Sequence, residues 1–308
     1  MSVPGYQDFM LPLLTLASDD QEHGLSDAIE SLAKQFGLSE QDQELMLPSG
    51  TQTRLYNRVT WGLTYLTKAL LLDKSARGRF RISQRGTDVL KRSPSRIDNA
   101  FLMQFDEFRA FKSKKNKSAA TAAAGVLDDS EDIGPAITPD EQLDMAYREL
   151  RDTLADELLG RVRAIKPKRF EQLVVDVLVA MGYGGSRMDA AQVVGKSGDG
   201  GIDGVIKEDR LGLDMVYVQA KRHEADIGPG AIREFVGSLG EHKANKGVFI
   251  TCGGFTSGAK DAAAKAHSRI VLIDGEQLAQ YMIDHGVGVA EYKTFVVKKL
   301  DSDYFGDD

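Results

Sequence analysis

The sequence predicts an α/β protein of two domains. A small helical domain ending in a basic hairpin occupies residues 1–92, a connecting stretch covers 93–139, and a helix-covered sheet covers 140–308. Three observations predict this. Residues 5–92 carry helical apolar spacing that gives way to the alternating run Arg77-Gly78-Arg79-Phe80-Arg81-Ile82. Residues 113–134 hold almost nothing that a core could bury. Beyond Pro167 the elements follow the order αβββαβαβα, which specifies a sheet core with helices on both faces.

At 308 residues the chain is long enough for about two domains that each bury a core. Hydrophobic residues at 42% and charged residues at 28% are ordinary for a soluble protein, and no run approaches the roughly 18 apolar residues of a membrane span. The start, MSVPGYQDF, lacks a basic segment followed by an apolar one, so no secretory signal is visible. The single cysteine, Cys252, excludes an internal disulfide framework, argues against a thiolate zinc site, and suits a reducing cytoplasm, the expected location. A net charge of −7 argues at first against a nucleic-acid partner. The charge is uneven, however: acid collects at Asp128, Asp129, Glu131 and Asp132, and base at Arg77, Arg79 and Arg81. DNA responds to the field within roughly 10 Å, so a basic face coexists with an acidic total.

In the first domain, Tyr6, Phe9, Met10, Leu13 and Leu14 have helical spacing, with Pro12 expected to shorten or kink the helix. A second helix runs from about Ser26 to Gly37, and Ser39 with Asp42 caps a short third one. The longest spans roughly 53–72, with Leu55, Val59, Leu63, Leu66 and Leu70 as its apolar series and Arg54, Asn57, Arg58, Trp61 and Lys68 on the other face. The ribbon Lys74–Ser83 then turns Phe80 and Ile82 inward and its arginines outward. Helices feeding a basic ribbon form a winged helix-turn-helix, in which the long helix enters the major groove and the wing touches the backbone or minor groove. A charged outer face is also what a merely solvated helix shows.

Phe101, Leu102, Phe105, Phe108 and Phe111 suggest one more element before the low-complexity stretch 113–134, which reads as a flexible tether. A capped helix follows over about 139–164. Pro167 opens another with the stripe Phe170, Val174, Val177, Leu178 and Met181, ended by Gly182. Strands are expected near 192–194, 201–206, 214–221, 247–251 and 270–274, with helices near 231–244, 257–267 and 276–285.

The chemistry concentrates where Gly-Asp-Gly-Gly-Ile-Asp (198–203) precedes Val-Tyr-Val-Gln-Ala-Lys (216–221). Alternation gives Tyr217, Gln219 and Lys221 one face, and Val216, Val218 and Ala220 the other. Ile202 and Ile206 are expected to point away from Asp203, leaving the polar groups facing outward together. Phosphodiester hydrolysis needs a Lewis acid on a phosphoryl oxygen, an activated water in line and neutralised charge on the leaving oxygen. Mg²⁺ takes oxygen ligands and keeps several waters. Asp203 supplies an anionic oxygen, Gln219 a carbonyl oxygen and Lys221 a cation beside the phosphate. Glu171 is the nearest further acid expected to face the sheet, although complementing its helix's N-terminal dipole also accounts for it. Other sites fail: Ala190 stands where a Walker A loop before Gly195-Lys196-Ser197 needs glycine, and Gly201 and Arg210 stand where a calcium loop needs oxygens. The five histidines show no metal-ligand spacing.

At these residues the chain resembles the Mrr restriction endonucleases of the PD-(D/E)XK nuclease superfamily. The resemblance rests on Phe-Glu (170–171), Gly-Tyr-Gly-Gly (182–185), Gly-Asp-Gly-Gly-Ile-Asp-Gly (198–204), Gln-Ala-Lys-Arg (219–222), Gly-Val-Phe-Ile-Thr (247–251), Gly-Phe-Thr (254–256) and Leu-Ile-Asp-Gly (272–275). It covers about 165–285 strongly, and Arg-Leu-Tyr-Asn-Arg-Val-Thr-Trp (54–61) resembles the amino-terminal domain of full-length Mrr proteins. It implies that Asp203 is the metal-binding Asp, Gln219 takes the (D/E) position, Lys221 is the Lys and Glu171 the helix acid. The Ala220 carbonyl is then a further ligand. Gln219 departs from the superfamily's acid, though glutamine is usual in the Mrr branch.

The resemblance implies a cytoplasmic type IV restriction endonuclease that uses Mg²⁺ to cut double-stranded, methylated DNA. Arg54, Tyr56, Asn57, Arg58, Lys74, Arg77, Arg79 and Arg81 are expected to dock the duplex. Cutting both strands needs two sites, so a homo-oligomer, dimer or tetramer, is expected. Two readings stay open beside it: a winged-helix regulator with an inactive nuclease fold, and a repair or junction endonuclease indifferent to methylation.

Overall fold

The computed structural model describes residues 2–76, 78–120, 137–184, 201–208, 213–301 and 304. It divides into two compact units, Met1–Arg148 with Val297–Asp308, and Glu149–Val296. Among the described residues no helix is long and apolar enough to cross a membrane.

In the first unit a 3₁₀ turn, Tyr6–Phe9, leads into α1 (Met10–Leu16). Pro12 lies in the first turn of α1, where a backbone N–H has no intrahelical partner to lose. Next come α2 (Leu25–Gln35) and α3 (Glu40–Glu44), the latter capped by Ser39, whose hydroxyl accepts the Asp42 N–H at 3.2 Å. The central helix α4 (Arg54–Lys68) is capped by Thr53 and buries Leu55, Val59, Leu63 and Leu66. The apolar series does not extend to Leu70, which is exposed with a left-handed φ of 57°. The chain turns there because Leu71 and Leu72, both fully buried, take over the packing as it enters the hairpin.

That hairpin, β2 (Leu72–Ala76) with β3 (Arg79–Ile82), is extended by β1 (His23–Gly24) into an antiparallel sheet of order β1-β3-β2. Helices packed on a three-stranded wing make the winged-helix arrangement. Phe80 and Ile82 are buried while Arg79 and Arg81 face out, as period-2 geometry requires. Ser83 caps α5 (Gln84–Lys91). A Cβ at Gly86 would collide with the Leu71 carbonyl oxygen. Gly86→Ala should therefore destabilise this unit by about 1–3 kcal/mol in urea unfolding; an unchanged midpoint would refute the close approach.

The first core continues beyond residue 92. Ile97, Leu102 of α6 (Asn99–Leu102) and Phe108 of α7 (Asp106–Ala120) join the same buried cluster, and Phe108 and Phe111 flank Tyr65 edge-on at 5.6 and 5.9 Å. Residues 113–120, expected in the tether, continue α7 instead, because the phenylalanines before them anchor that helix. Residues 121–136 lie outside the described residues, as does the strand expected near 192–194.

The unit boundary falls within α8 (Pro139–Ala164). In the second unit β4 (Gly204–Lys207), β5 (Met215–Lys221), β6 (Lys246–Thr251) and β7 (Arg269–Ile273) form one sheet in that order. β4 runs antiparallel to β5, and β5, β6 and β7 are parallel. The part of α8 in this unit, α9 (Pro167–Ala180) and α12 (Gly275–Asp284) cover one face, burying Ile206, Val216, Val218, Ile250 and Ile273. α10 (Pro229–Glu241) and α11 (Ser257–Ala264) cover the other, around Phe235 and Phe249.

Two expectations change here. β5 is not half-exposed: the α10–α11 layer covers the face that Tyr217 and Gln219 share, and Gln219 is 3% exposed. Ile202 and Ile206 belong to opposite cores, because regular strand begins only at Gly204.

Candidate metal centre

Asp203 stands one residue before β4, whose register places Gly204 opposite Val218. Its N–H donates to the Val218 carbonyl at 2.9 Å, and its Oδ2 accepts the Ala220 N–H at 2.7 Å. The carboxylate thus replaces the next carbonyl of the ladder, which holds it at the rim of the sheet. β5 brings Gln219 and Lys221 to the same end, where parallel pairing sets Gln219 beside Phe249 and Lys221 beside Thr251. The Lys221 ammonium lies 5.9 Å from the centroid of the Phe249 ring, within cation–π range.

Gln219 is the unusual member. Its Oε1 is buried and has no hydrogen-bond partner among the described residues, a condition that costs about 1–3 kcal/mol unless something fills it. Beside it, Gly201 adopts φ 89°, and a Cβ there would come within 2.9 Å of Gln219 Nε2. Only glycine takes this backbone easily and also leaves the amide room. Gly201→Ala should weaken divalent-metal affinity by roughly tenfold or more, read by metal titration, since a supporting group commonly carries that much. Unaltered affinity would mean that the glycine does not set the amide.

The electrostatics point the same way. Burial pushes the Asp203 carboxyl above the usual range, more than the Ala220 N–H and the Lys221 ammonium pull it down. Glu171, on the second turn of α9, is also raised, first by burial and then by the Asp203 charge, with Lys168 opposing. Two carboxylates raised by burial, one of them raised further by the other's charge, make a donor set short of positive charge, and Gln219 follows on the strand whose Ala220 N–H holds Asp203. Hard divalent cations take oxygen donors of this kind, so the residues fit such an ion. Among the described residues no three of His, Cys, Asp and Glu converge, so Gln219 Oε1 and a backbone carbonyl such as that of Ala220 would complete the set. Cys252 is buried with its thiol pushed up to about 11, which removes it as a nucleophile.

The residues expected to dock DNA divide. Tyr56, Lys74, Arg79 and Arg81 are exposed, Arg79 pairing with Glu22 at 2.7 Å, and Arg77 lies outside the described residues. Asn57 and Arg58 do not face solvent as expected. Asn57 is 1% exposed; its Nδ2 donates to Asp140 at 2.7 Å and its Oδ1 accepts from the Thr138 hydroxyl at 2.5 Å. Arg58 pairs with Glu141 at 2.8 Å and donates to the Pro4 carbonyl at 3.0 Å. Arg54 Nε lies 3.5 Å from Glu141, near enough for attraction but without hydrogen-bond geometry. The cause is the start of α8, where Thr138 and Glu141 cap each other's N–H groups and sit on α4. The Thr-x-x-Glu pattern was open to view in the sequence; its docking place was not. Elsewhere, a cavity of about 420 Å³ lined by Asp152, Asp156, Glu224, Asp226, Asp274 and Glu276, with Arg163 as its cation, shares no residue with this candidate site.

A family described as restriction endonuclease matches residues 162–282, and the Mrr N-terminal domain matches residues 6–92. The chain is 39% identical over 312 residues to the type IV methyl-directed restriction enzyme EcoKMrr of Escherichia coli (strain K12), covering 99% of this chain and 100% of that protein. The MspJI restriction endonuclease in complex with a 27-mer oligonucleotide shares 21% identity at a TM-score of 0.27, covering 52% of this chain and 35% of that one.

Proposed function

The chain belongs to the Mrr restriction endonucleases, and from that premise we propose that it hydrolyses phosphodiester bonds of methylated double-stranded DNA with the help of Mg²⁺. The observation that supports the metal part is the buried Gln219 Oε1, without a hydrogen-bond partner among the described residues, on the strand whose next N–H holds the Asp203 carboxylate. Asp203, Gln219, the Ala220 carbonyl and Glu171 would hold the ion. When bound, it draws charge from a phosphoryl oxygen and makes a neighbouring water easier to deprotonate.

The chain's own groups do the rest. Asp203, tied to the Ala220 N–H, keeps its donor oxygens fixed relative to β5. Lys221 projects its ammonium from the same strand end, where it hydrogen-bonds the attacking water or a phosphate oxygen and offsets the charge that builds on phosphorus. Phe249 beneath it limits where that ammonium can go. Tyr56, Lys74 and the wing arginines position the duplex through its backbone, and base-edge contacts carry any preference for a methylated sequence. One such centre cuts one strand, so a double-strand break calls for two chains.

The decisive assay incubates the full chain with plasmids bearing defined adenine or cytosine methylation, with Mg²⁺ or with EDTA, beside Lys221→Ala. Mg²⁺-dependent cleavage confined to methylated plasmid is expected. Equal background from both proteins would end the enzyme reading, and equal cutting of plain or branched DNA would end the methylation-directed one.

A further inference from the structure

On α4 the side chains best suited to grip a nucleic acid already hold anions. Glu141 takes the Arg58 fork through Nε at 3.1 Å and the terminal nitrogen at 2.8 Å, with Arg54 3.5 Å away. Asp140 Oδ2 takes both Asn57 Nδ2 at 2.7 Å and Trp61 Nε1 at 3.0 Å. Guanidinium forks bind carboxylate and phosphate with the same planar geometry, and an asparagine amide used at both ends is the group that reads an adenine edge. Glu141 and Thr138 are 5% and 0% exposed, so these partners are built in and not passing surface pairs. They begin a helix, and in sequence they follow a segment with four more acids, Asp128, Asp129, Glu131 and Asp132.

We propose that the Thr138–Glu141 turn is a built-in stand-in for nucleic acid on the polar face of α4, and that duplex DNA must displace it to be held there. The proposal rests on the DNA-docking reading above and names the surface that docking uses. The exchange is feasible because a phosphate replaces a carboxylate, so the guanidinium of Arg58, which the Pro4 carbonyl also holds, is never left buried without a counter-charge. Removing the turn with nothing in its place would leave that charge uncompensated. The surface is thus covered in the free protein, and apparent DNA affinity falls by the fraction of time it stays closed.

The test uses the full wild-type chain, with a duplex of methylated DNA and EDTA to prevent cleavage. Backbone amide hydrogen exchange is followed over the peptide spanning 137–146, where Thr138 and Glu141 N–H groups are held by each other's side chains. Saturating DNA should speed that exchange at least tenfold, while exchange in the winged hairpin slows. Unchanged or slower exchange over 137–146 in a protein that demonstrably binds DNA overturns the proposal and leaves the docking reading standing. Absence of DNA binding overturns both. As a second readout, Glu141→Gln should tighten duplex affinity roughly tenfold at fixed salt. Weaker or equal binding by a variant that keeps wild-type circular dichroism counts against displacement, and if that variant does not fold, the wild-type exchange decides alone.

Discussion

Asp203→Asn should abolish strand cleavage, leave DNA binding in place and raise the melting temperature of the metal-free protein. The loss of rate follows from the donor count. With no third acid of the described residues at the centre, Asp203 is half of its anionic charge, and a neutral amide holds a divalent cation far less well. A fall of at least about a thousandfold is expected, which corresponds to about 4 kcal/mol in the barrier. The gain in stability follows from the sign of the pKa shift. Asp203 is raised above its unfolded value, so the folded state binds that proton more tightly than the unfolded chain does. Its favourable contribution is complete below the unfolded pKa and is lost as pH rises through the folded one, leaving a buried charge at neutral pH. Asparagine removes the charge, can still accept from the Ala220 N–H, and relieves Glu171, which the Asp203 charge raises.

The same shifts set a pH dependence. Protons compete with the cation at Asp203 and Glu171, so metal affinity and cleavage should decline as pH falls towards and through their raised pKa values, earlier than for ordinary carboxylates. Thermal melts with and without Mg²⁺ read this directly, because a ligand of the native state adds stability by mass action. Mg²⁺ should lift the wild-type midpoint and leave that of Asp203→Asn unmoved. Equal lifts, or cleavage by the variant at the wild-type rate, would remove Asp203 from the centre.

Phe249→Ala should be the most damaging single truncation in the second unit, at about 3–5 kcal/mol. The ring is fully buried and meets Phe235 and Phe255 edge-on, at centroid distances of 5.6 and 5.8 Å. Its removal deletes both aromatic pairs and opens a cavity between β6 and the helices α10 and α11. That is a large part of the roughly 5–15 kcal/mol that holds a typical domain together. Guanidinium unfolding of the full chain should show the second unit's transition shifted strongly, with the first unit's little changed. Phe249→Leu separates packing from chemistry, because it keeps an apolar side chain in the core and costs less than Phe249→Ala but removes the ring beneath Lys221. Slower cleavage by a stable Phe249→Leu protein is expected; a wild-type rate would show that the ring does not guide the ammonium.

What the sequence by itself determined is local. Alternation in 79–82 and 216–221, the capping residue Ser39, and the motif residues around Asp203 and Lys221 could all be read because backbone sterics impose a period of 2 or 3.6 wherever the segment lies. Even the meeting of Asp203 with the Gln219–Lys221 stretch was within reach, since adjacent antiparallel strands bring near neighbours in sequence together. Only the tertiary structure decided which faces are covered. It buried Gln219 under α10 and α11, set Phe249 beneath Lys221 through parallel pairing, ended α4 before Leu70, and laid Thr138–Glu141 over Asn57 and Arg58. Asn57 and Asp140 are 83 positions apart. No local periodicity records such a pairing, because whether a polar face meets water or protein depends on where the rest of the chain packs.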